Sequence, residues 1–412
     1  MISENTKKRV VILCTHPVQY YTAWYRALAK QDWIDLEVWF GHKADANDQA
    51  DAGFGVPFEW DMPLLDGYRY RFLDNRALKP GVSGFWGTHS PEVGKLLDAN
   101  PIDALVVHGW GSRCYMQAIF AANKRKIPIF VRGDSQLGTK RNGIWKFTKI
   151  LIYRWLMGRF SGFLTVGKRS RDYYLHYNAN PNKIFPCPHF VDNDFFANEA
   201  QKWIPQRDAL RQAWGIPKEA IVFVFIGKLV DRKKPMDFLK GLKNAREICA
   251  KNSDTSNADL WGIVVGDGPL RRQMEEYAVQ AKIPVSFVGF LNQGEISKAY
   301  VSADCLVLPS DASETWGLVV NEAFVCGIPA IVSDAVGCAP DLIVEGETGW
   351  VFQIGDWNEL TLRIMKCSKR ISQGYDFKTA IQKKIQKYSV LDSCANIKMA
   401  ICSMGNKRKA PL

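Results

Sequence analysis

The sequence lacks most features that would place it outside ordinary globular proteins. Its ten cysteines stand singly between Cys14 and Cys402, and no CxxC pair occurs. This spacing excludes a zinc ribbon and a dithiol redox motif, and it is typical of a reducing compartment. No apolar run reaches the roughly 20 residues that a membrane-spanning helix needs. Residues 1–15 lead from charged residues into a short β-rich run, so we expect no signal peptide and a cytoplasmic protein.

Acidic residues are outnumbered by basic ones, 42 against 54, which gives a formal net charge of +12. A surplus of this size indicates an anionic partner, which could be nucleic acid, an acidic membrane surface or a phosphorylated ligand. Hydrophobic residues make up 47% and charged residues 23%, which excludes a disordered, collagen-like or coiled-coil chain. A length of 412 residues favours two domains.

Short apolar runs alternate with amphipathic stretches in both halves of the chain. This alternation is typical of an α/β protein with a doubly wound parallel sheet. The predicted strands are residues 9–14, 35–40, 102–107, 127–131 and 162–166, then 220–226, 261–265, 285–288, 305–308 and 330–332. Two such domains would place a ligand cleft between them, at the carboxyl ends of the strands.

The pattern also sets the expected domain boundaries. Residues 1–195 form a predicted N-terminal Rossmann-like domain. The polar interval 196–216 is predicted to be a linker, and residues 217–370 a C-terminal Rossmann-like domain. Residues 371–412 are predicted to be a helical basic segment that packs back toward the N-terminal domain.

A basic loop follows the strand predicted at residues 220–226. Gly227 permits close approach of a ligand at the strand end, and Lys228 and Lys233 flank a loop that leads into a helix near Pro235. Two ammonium groups beside a helix N-terminus suit a diphosphate. The alternative is an ordinary solvated loop. Gly266 stands in a similar position after the next strand, where a tight turn alone would explain it.

Two acidic residues follow the strand predicted at residues 305–308. Glu314 lies in the loop after this strand, Gly317 lies where backbone amides can face a ligand, and Glu322 lies on the helix that follows. The two carboxylates could accept hydrogen bonds from opposite ends of a polyhydroxyl ligand. A helix-terminal acid with a separate surface acid is the alternative.

Five ordered motifs of the second half resemble those of the retaining glycosyltransferases of family 4, also called group 1 glycosyltransferases. In that family a Glu is followed by seven residues and a second Glu. The motifs are GKLVDRK (227–233), VGDGP (265–269), ETWGLVVNEA (314–323), GIPAIVS (327–333) and EGETG (345–349). The resemblance is strong over residues 220–352 and weaker over the first half, where PHFVD stands at 188–192. It implies the GT-B fold, in which two Rossmann-like doubly wound parallel-sheet domains face a deep cleft. It also implies that residues 1–195 bind the acceptor and residues 217–370 the nucleotide sugar.

The resemblance also implies an activity and roles for individual residues. The activity is transfer of a sugar from a nucleotide-diphosphate sugar with retention of configuration, without metal or other cofactor. Lys228 and Lys233 would bind the diphosphate and stabilise the leaving group. Glu314 would bind the sugar hydroxyls and Glu322 the ribose. The donor-binding set is completed by Gly227, Gly266, Leu291 near the base, Trp316, Gly317, Leu318 and Val319.

The first half departs from the family at one position. Many members carry a His after the strand that matches residues 127–131, but Arg132 and Asp134 stand there and are the candidates by position. His108, at the end of the preceding strand, could approach the same cleft or be structural. His16, after the first strand, is expected to line the acceptor side. Lys228 replaces an Arg of the family, which keeps the charge but loses the bidentate fork.

Residues 145–163 interleave basic and bulky aromatic side chains. An interfacial helix on an anionic membrane has this composition, as does an amphipathic helix packed on the sheet. We find no zinc finger or RNA-binding signature and expect no nucleic-acid partner. The leading hypothesis is a cytoplasmic, peripherally bound glycosyltransferase that acts on a glycan or lipid-linked acceptor in polysaccharide, lipopolysaccharide or glycolipid synthesis. A sugar-nucleotide epimerase and a catalytically silent binding protein are the alternatives.

Overall fold

The computed structural model describes residues 7–44, 60–138, 145–251 and 259–403. The described residues up to His189, together with those from Val390 onward, form one compact unit, and Phe190–Ser389 form a second. Each unit is built around one parallel sheet with helices between its strands. The predicted pair of doubly wound α/β domains is therefore confirmed.

The first unit contains a sheet of seven described strands in the order β3-β2-β1-β4-β5-β6-β7, with every neighbouring pair parallel. The strands are β1 (Lys8–Cys14), β2 (Ile34–Phe40), β3 (Arg69–Phe72), β4 (Ala104–Val107), β5 (Ile129–Gly133), β6 (Gly162–Thr165) and β7 (Ile184–Pro186). Its helices before residue 190 are α1 (Gln19–Ala29), α2 (Val93–Ala99), α3 (Arg113–Lys124), α4 (Trp145–Met157) and α5 (Lys168–His176).

The burial of the side chains agrees with the central or edge position of each strand. The run from Val10 to Cys14 is buried throughout, as expected for a central parallel strand that is covered on both faces. Strand β3 lies at the edge and is largely exposed, and Arg71 pairs with Glu37 on β2. Charged side chains of this kind discourage unwanted pairing at a sheet edge. The strand order reverses between β1 and β4.

The second unit contains a sheet of six described strands in the order β10-β9-β8-β11-β12-β13. They are β8 (Ile221–Ile226), β9 (Leu260–Val265), β10 (Val285–Gly289), β11 (Cys305–Leu308), β12 (Ala330–Ser333) and β13 (Gly349–Phe352). Its helices are α6 (Asn193–Trp203), α7 (Arg207–Ala213), α8 (Pro235–Lys251), α9 (Arg271–Gln280), α10 (Ser297–Ser302), α11 (Leu318–Val325), α12 (Ala339–Leu342), α13 (Trp357–Ser372) and α14 (Lys378–Ile385). Here the order reverses between β8 and β11.

All ten predicted strands are present, with bounds within two residues of the prediction. The sheets also contain β3, β7 and β13, which were not predicted. These three are short strands of three or four residues at or next to a sheet edge. Strands β3 (RYRF) and β7 (IFP) lack the continuous apolar run of four or more residues that indicates a buried strand.

The interval predicted to be a linker is helical, and the structure places it in the second unit. Asp192 caps α6 by accepting a hydrogen bond from the backbone N–H of Phe195 (3.1 Å). Arg211 on α7 is buried and donates to the carboxylate of Asp304 (2.8 Å). A polar interval can be helical because an amphipathic helix exposes one polar face. The boundary falls after His189 rather than after residue 195.

The basic C-terminal segment divides between the two units. Helix α14 stays in the second unit with Ile381 and Ile385 buried, whereas the last described helix, α15 (Val390–Ser403), belongs to the first. Ile397 is fully buried there, and the hydroxyl of Ser393 donates to the carbonyl of Pro188 (2.8 Å). The segment predicted as residues 371–412 therefore begins its packing on the first unit only at Val390.

Candidate active site

Two loops meet at the strand-order reversal of the second sheet. One follows β8 and carries Lys228 and Lys233, and the other follows β11 and carries Glu314. The backbone N–H of Asp311 donates to the carbonyl of Arg232 (2.8 Å), which ties the two loops together. A reversal of strand order leaves a crevice at the carboxyl ends of the strands, and this is where open α/β sheets bind ligands.

The ammonium group of Lys233 forms an ion pair with the carboxylate of Glu314. Their side chains are only 18% and 16% exposed. The two residues that the sequence assigned to the diphosphate and to the sugar therefore lie in contact. A ligand with a diphosphate and a sugar would meet a positive and a negative side chain at this point.

Lys228 lies in the same loop and is half-buried. Burial lowers the pKa of its ammonium group to about 8, and the charges of Arg232 and Lys233 act in the same direction. The carboxylate of Glu314 opposes them. Burial and two neighbouring positive charges destabilise the charged form of Lys228, so a bound anion would stabilise it.

The Glu314 loop is held in place by backbone contacts from the loop after β12. The N–H of Gly337 donates to the carbonyl of Glu314 (3.0 Å), and the N–H of Cys338 donates to that of Trp316 (2.9 Å). A Cβ atom at Gly337 would lie 1.7 Å from the carbonyl oxygen of Thr315. Only glycine fits there. Sequence analysis missed this residue, because no local pattern marks a contact between loops 23 residues apart.

Gly317 ends the loop in the left-handed region (φ 96°) and precedes α11. The first N–H groups of a helix have no partner within it, so the amides of Leu318 and Val319 suit an oxygen-rich ligand. Trp316 is buried, and its indole N–H donates to the amide oxygen of Asn321 (2.9 Å). Its side chain belongs to the core, so only its backbone is available to the site.

Glu322 lies on α11 and is 1% exposed. The hydroxyl of Tyr300 donates to its Oε2 atom (2.6 Å), and Tyr300 is itself fully buried. This hydrogen bond fixes the carboxylate within the unit. Sequence analysis did not identify Tyr300, because its contact with Glu322 depends on how α10 packs beside α11.

The strands next to β8 bring the remaining donor-binding candidates to the same edge. A Cβ atom at Gly266 would lie 2.0 Å from the carbonyl oxygen of Gly227, so the turns after β8 and β9 require glycine for their close approach. Leu291 is half-buried and follows β10, two strands away from β8. All the donor-side candidates therefore follow strands of one sheet at its carboxyl edge.

The first unit has its own reversal, between β1 and β4, and two histidines follow these strands. His16 follows β1, and its Nδ1 atom lies 3.0 Å from the hydroxyl of Thr15. His108 follows β4, with its Nε2 atom 3.3 Å from the Tyr25 hydroxyl and its ring centroid 4.3 Å from that of Tyr21. Burial and the charge of Arg132 lower the pKa of His108 to about 3, so its imidazole is neutral.

Arg132 and Asp134 occupy different environments. The Arg132 side chain is buried, with its guanidinium group 5.3 Å from the ring centroids of both Tyr21 and Trp24. It also donates to the carbonyl of Pro188 (3.3 Å). Arg132 is therefore enclosed within the first unit, and its role at the acceptor side of the cleft stays a prediction. Asp134 is half-buried and lines a cavity together with His108.

The described residues form no group of three or more His, Cys, Asp or Glu side chains placed to hold a metal ion. No described helix is both long enough and apolar enough to cross a bilayer.

Residues 206–383 match the family described as group 1 glycosyl transferases, and the match falls within the second unit. The chain is 34% identical over 135 residues to the sulfoquinovosyl transferase SQD2 of Arabidopsis thaliana, which is 29% of this chain and 26% of that protein. It is 29% identical over 198 residues to the D-inositol 3-phosphate glycosyltransferase of Mycobacterium leprae, 47% of this chain and 42% of that protein. The matches thus span between a quarter and about half of these relatives.

Solved structures are similar in fold over residues of both units. Anabaena Alr3699/HepE in complex with UDP superposes with a TM-score of 0.69 at 17% identity, over 97% of this chain and 100% of that one. The lipopolysaccharide outer core galactosyltransferase WaaB superposes with a TM-score of 0.65 at 15% identity, over 96% and 99%. At these identities the similarity is one of fold, and it confirms the predicted GT-B fold.

Proposed function

We propose that this protein is a retaining glycosyltransferase that moves a sugar from a nucleotide-diphosphate sugar to a glycan or lipid-linked acceptor. The observation that carries the proposal is the contact between Lys233 and Glu314, with Lys228 beside them, at the strand-order reversal of the second sheet. The group 1 glycosyl transferase match covers the same unit and supports the same activity.

Each donor-side residue then has a physical task. Lys228 and Lys233 neutralise the diphosphate, and their positive charge stabilises the further negative charge that develops when it leaves. The amides of Leu318 and Val319 at the start of α11 add hydrogen bonds to the same end of the donor. Glu314 accepts hydrogen bonds from sugar hydroxyls, and Glu322, held by Tyr300, accepts them from the ribose. Gly266 and Leu291 border the nucleoside.

In this reaction the bond between the anomeric carbon and the diphosphate oxygen breaks, and its electron pair stays on the diphosphate. The acceptor oxygen forms the new bond on the same face of the sugar, which gives retention, and its proton passes to the departing diphosphate. Two lysines and a helix N-terminus supply positive charge at the leaving group, so we propose a metal-independent reaction without a cofactor. Retained activity in the presence of a chelator would support this, and its loss would refute it.

The test begins with donor binding. A panel of nucleotide sugars and nucleoside diphosphates is mixed with the protein, and protection against thermal unfolding is measured. We expect one base to be preferred, because ligand that binds only the folded state raises its stability. Protection by none of them would refute the proposal.

The second step separates catalysis from binding. With the preferred donor and an acceptor, Glu314→Ala should lower transfer by at least 100-fold while leaving the melting temperature within a few degrees. Glu276→Ala, which removes an exposed acid paired with Arg272 on α9, is the matched control and should retain activity. Unchanged transfer by Glu314→Ala would exclude the role proposed for this residue.

The same assay decides between the proposal and its alternatives. An epimerase would convert the donor into an isomeric nucleotide sugar without releasing a nucleoside diphosphate. A silent binding protein would bind the donor and yield no product. Formation of a glycosidic product together with nucleoside diphosphate is expected only of a transferase.

A role in cell-surface polysaccharide, lipopolysaccharide or glycolipid synthesis, at the inner face of the membrane, is the setting that we propose. Support comes from the composition of α4, where Arg154 and the exposed Leu151, Ile152 and Trp155 share one helix. Co-sedimentation with vesicles of phosphatidylcholine and phosphatidylglycerol tests membrane contact. Equal recovery with and without vesicles would contradict it.

A further inference from the structure

A cavity of about 480 Å³ opens in the first unit, at the carboxyl ends of β4 and β5. His108 and Trp110 border it from the loop after β4, and Asp134 and Ser135 from the loop after β5. Tyr153 on α4 and Tyr173 on α5 close the opposite wall. This volume falls within the range of small-molecule sites, and it would admit one or two sugar rings.

The polar groups of this cavity suit an uncharged, hydroxyl-rich ligand. The His108 imidazole is neutral, and its Nδ1 atom is buried with no hydrogen-bond partner among the described residues. Asp134 is the one acid among the described residues that line the cavity, and Ser135 adds a hydroxyl. The rings of Trp110 and Tyr173 lie nearly parallel, with centroids 6.4 Å apart. Tyr173 is buried, whereas Trp110 is half-buried and offers apolar ring surface at the cavity wall.

An apolar strip of exposed side chains continues from the cavity mouth across α4. Ile152 lines the cavity and is 58% exposed, and Leu151 and Trp155 beside it are 66% and 47% exposed. Residues three and four apart on a helix share one face, so Trp155 extends the surface of both. Phe120 on α3 lies beside Trp155, with ring centroids 6.0 Å apart. We call these four residues the α4 strip.

Positive charge accompanies the α4 strip. The ammonium of Lys149 lies 4.9 Å from the ring centroid of Tyr153 and 5.8 Å from that of Tyr173, and both tyrosines line the cavity. The guanidinium of Arg159 lies 4.2 Å over the ring of Trp155. An anionic group placed between a polar head and an apolar chain would meet these cations.

We infer that the cavity and the α4 strip together form the binding site for an amphiphilic acceptor. The sugar or polyol head occupies the cavity, the apolar chain lies along the α4 strip, and an anionic linkage between them faces Lys149. This inference rests on the proposed function and deepens it, because it selects a lipid-linked acceptor over a free glycan.

The test compares methyl and n-octyl β-D-glucoside, both below the critical micelle concentration, in equilibrium binding to the full-length protein. The octyl compound should bind at least tenfold more tightly, since its chain covers apolar surface that the methyl compound leaves exposed. Ile152 borders both the cavity and the α4 strip, so Ile152→Gln should weaken octyl binding at least threefold more than it weakens methyl binding. Leu391→Gln, at an exposed leucine of α15 in the same unit, is the matched control and should change neither.

A second variant separates the cavity from the α4 strip. Ser135 is exposed and lines the cavity, so Ser135→Trp fills the cavity without disturbing the core. It should weaken the binding of both glucosides at least threefold. Equal affinities of the two glucosides for the wild-type protein, or equal losses in Ile152→Gln and Leu391→Gln, would overturn the inference.

Two further measurements show whether the inference or the proposed function is wrong. If Ile152→Gln loses binding to phosphatidylcholine–phosphatidylglycerol vesicles but binds octyl glucoside normally, the strip contacts a membrane and not an acceptor chain. The inference is then wrong, and the proposed membrane contact stands. Protection by nucleoside diphosphates is measured on the same proteins. Protection without any preference for the octyl chain would leave the proposed function standing and overturn the inference alone. A preference for the octyl chain without nucleotide protection would support the amphiphile site and refute the proposed function.

Discussion

The two sheets carry chemically different groups at the same topological position. In the second unit the strand-order reversal presents an ion pair, Lys233 with Glu314, and the partly desolvated cation of Lys228. In the first unit the reversal presents neutral His108 packed against aromatic rings. One scaffold thus presents paired charges in one unit and a neutral, aromatic surface in the other. Side chains at the strand ends, rather than the fold itself, set this difference.

The largest effect should follow from removing a charge in the second unit. Lys233→Met deletes a cation proposed to hold the leaving diphosphate and leaves Glu314 without its partner, so transfer should fall by about 10²–10³-fold. Steady-state kinetics with the preferred donor measure the loss. Binding of octyl glucoside by the first unit should not change.

The matched control for this substitution is Lys243→Met on α8. Lys243 also pairs with a carboxylate, that of Glu247 (2.6 Å), but on the exposed surface of the helix. The Lys243→Met variant should retain full transfer activity. A comparable loss in both variants would show that Lys233 acts through general stability or net charge, and the contrast between the two units would then lose its main support.

A smaller effect is expected from backbone crowding. In Gly337→Ala the new methyl group would lie 1.7 Å from the carbonyl oxygen of Thr315, so the Glu314 loop must move by about an ångström. A misplacement of this size costs up to about 10²-fold in rate. The measurement is nucleoside diphosphate affinity by calorimetry, together with kcat/KM.

Gly111 of the first unit provides the control for this prediction. A Cβ atom there would have no other atom within 4 Å, so Gly111→Ala should leave donor affinity and melting temperature unchanged. If Gly337→Ala binds and turns over donor normally, the loop after β12 does not position Glu314.

Much of the architecture could be predicted from the sequence because buried parallel strands leave a strong local signal. The run at β8 consists entirely of apolar residues and is fully buried, as its composition indicates. Lys228, Lys233 and Glu314 could be proposed together, since each follows a strand and strand ends meet at one edge of a parallel sheet. Their contact depends on strand order, which only the structure supplies.

Other features depend on packing between distant segments and left no local signal. Arg132 was a candidate because of its position after a strand, and nothing in the sequence indicated that its side chain is buried beside Tyr21 and Trp24. The hydrogen bond from Tyr300 to Glu322 depends on the packing of two helices. The cavity beside His108 forms between two loops and two helices, none of which carries a recognisable motif.

The last prediction concerns pH and also separates the two units. Burial lowers the pKa of Lys228 to about 8, so the ammonium group is mostly charged at pH 7 and mostly neutral at pH 9. If the charged form binds the diphosphate, affinity should fall about tenfold between these two values. Calorimetric titration with the preferred nucleoside diphosphate at pH 7, 8 and 9 measures the fall. Octyl glucoside should bind the first unit equally at all three, because His108 stays neutral throughout.

Stability should change with pH in the opposite direction. The unfolded chain holds the Lys228 proton up to its ordinary pKa of 10.5, whereas the folded chain releases it near 8. Between these values the unfolded state binds more protons, so this residue makes the free energy of unfolding rise with pH. In Lys228→Met, the fall in diphosphate affinity with pH that Lys228 causes should disappear. The rise in the free energy of unfolding with pH that it causes should disappear as well. The melting temperature at pH 7 should increase. A variant that keeps the wild-type pH dependence of affinity would show that another group holds the diphosphate.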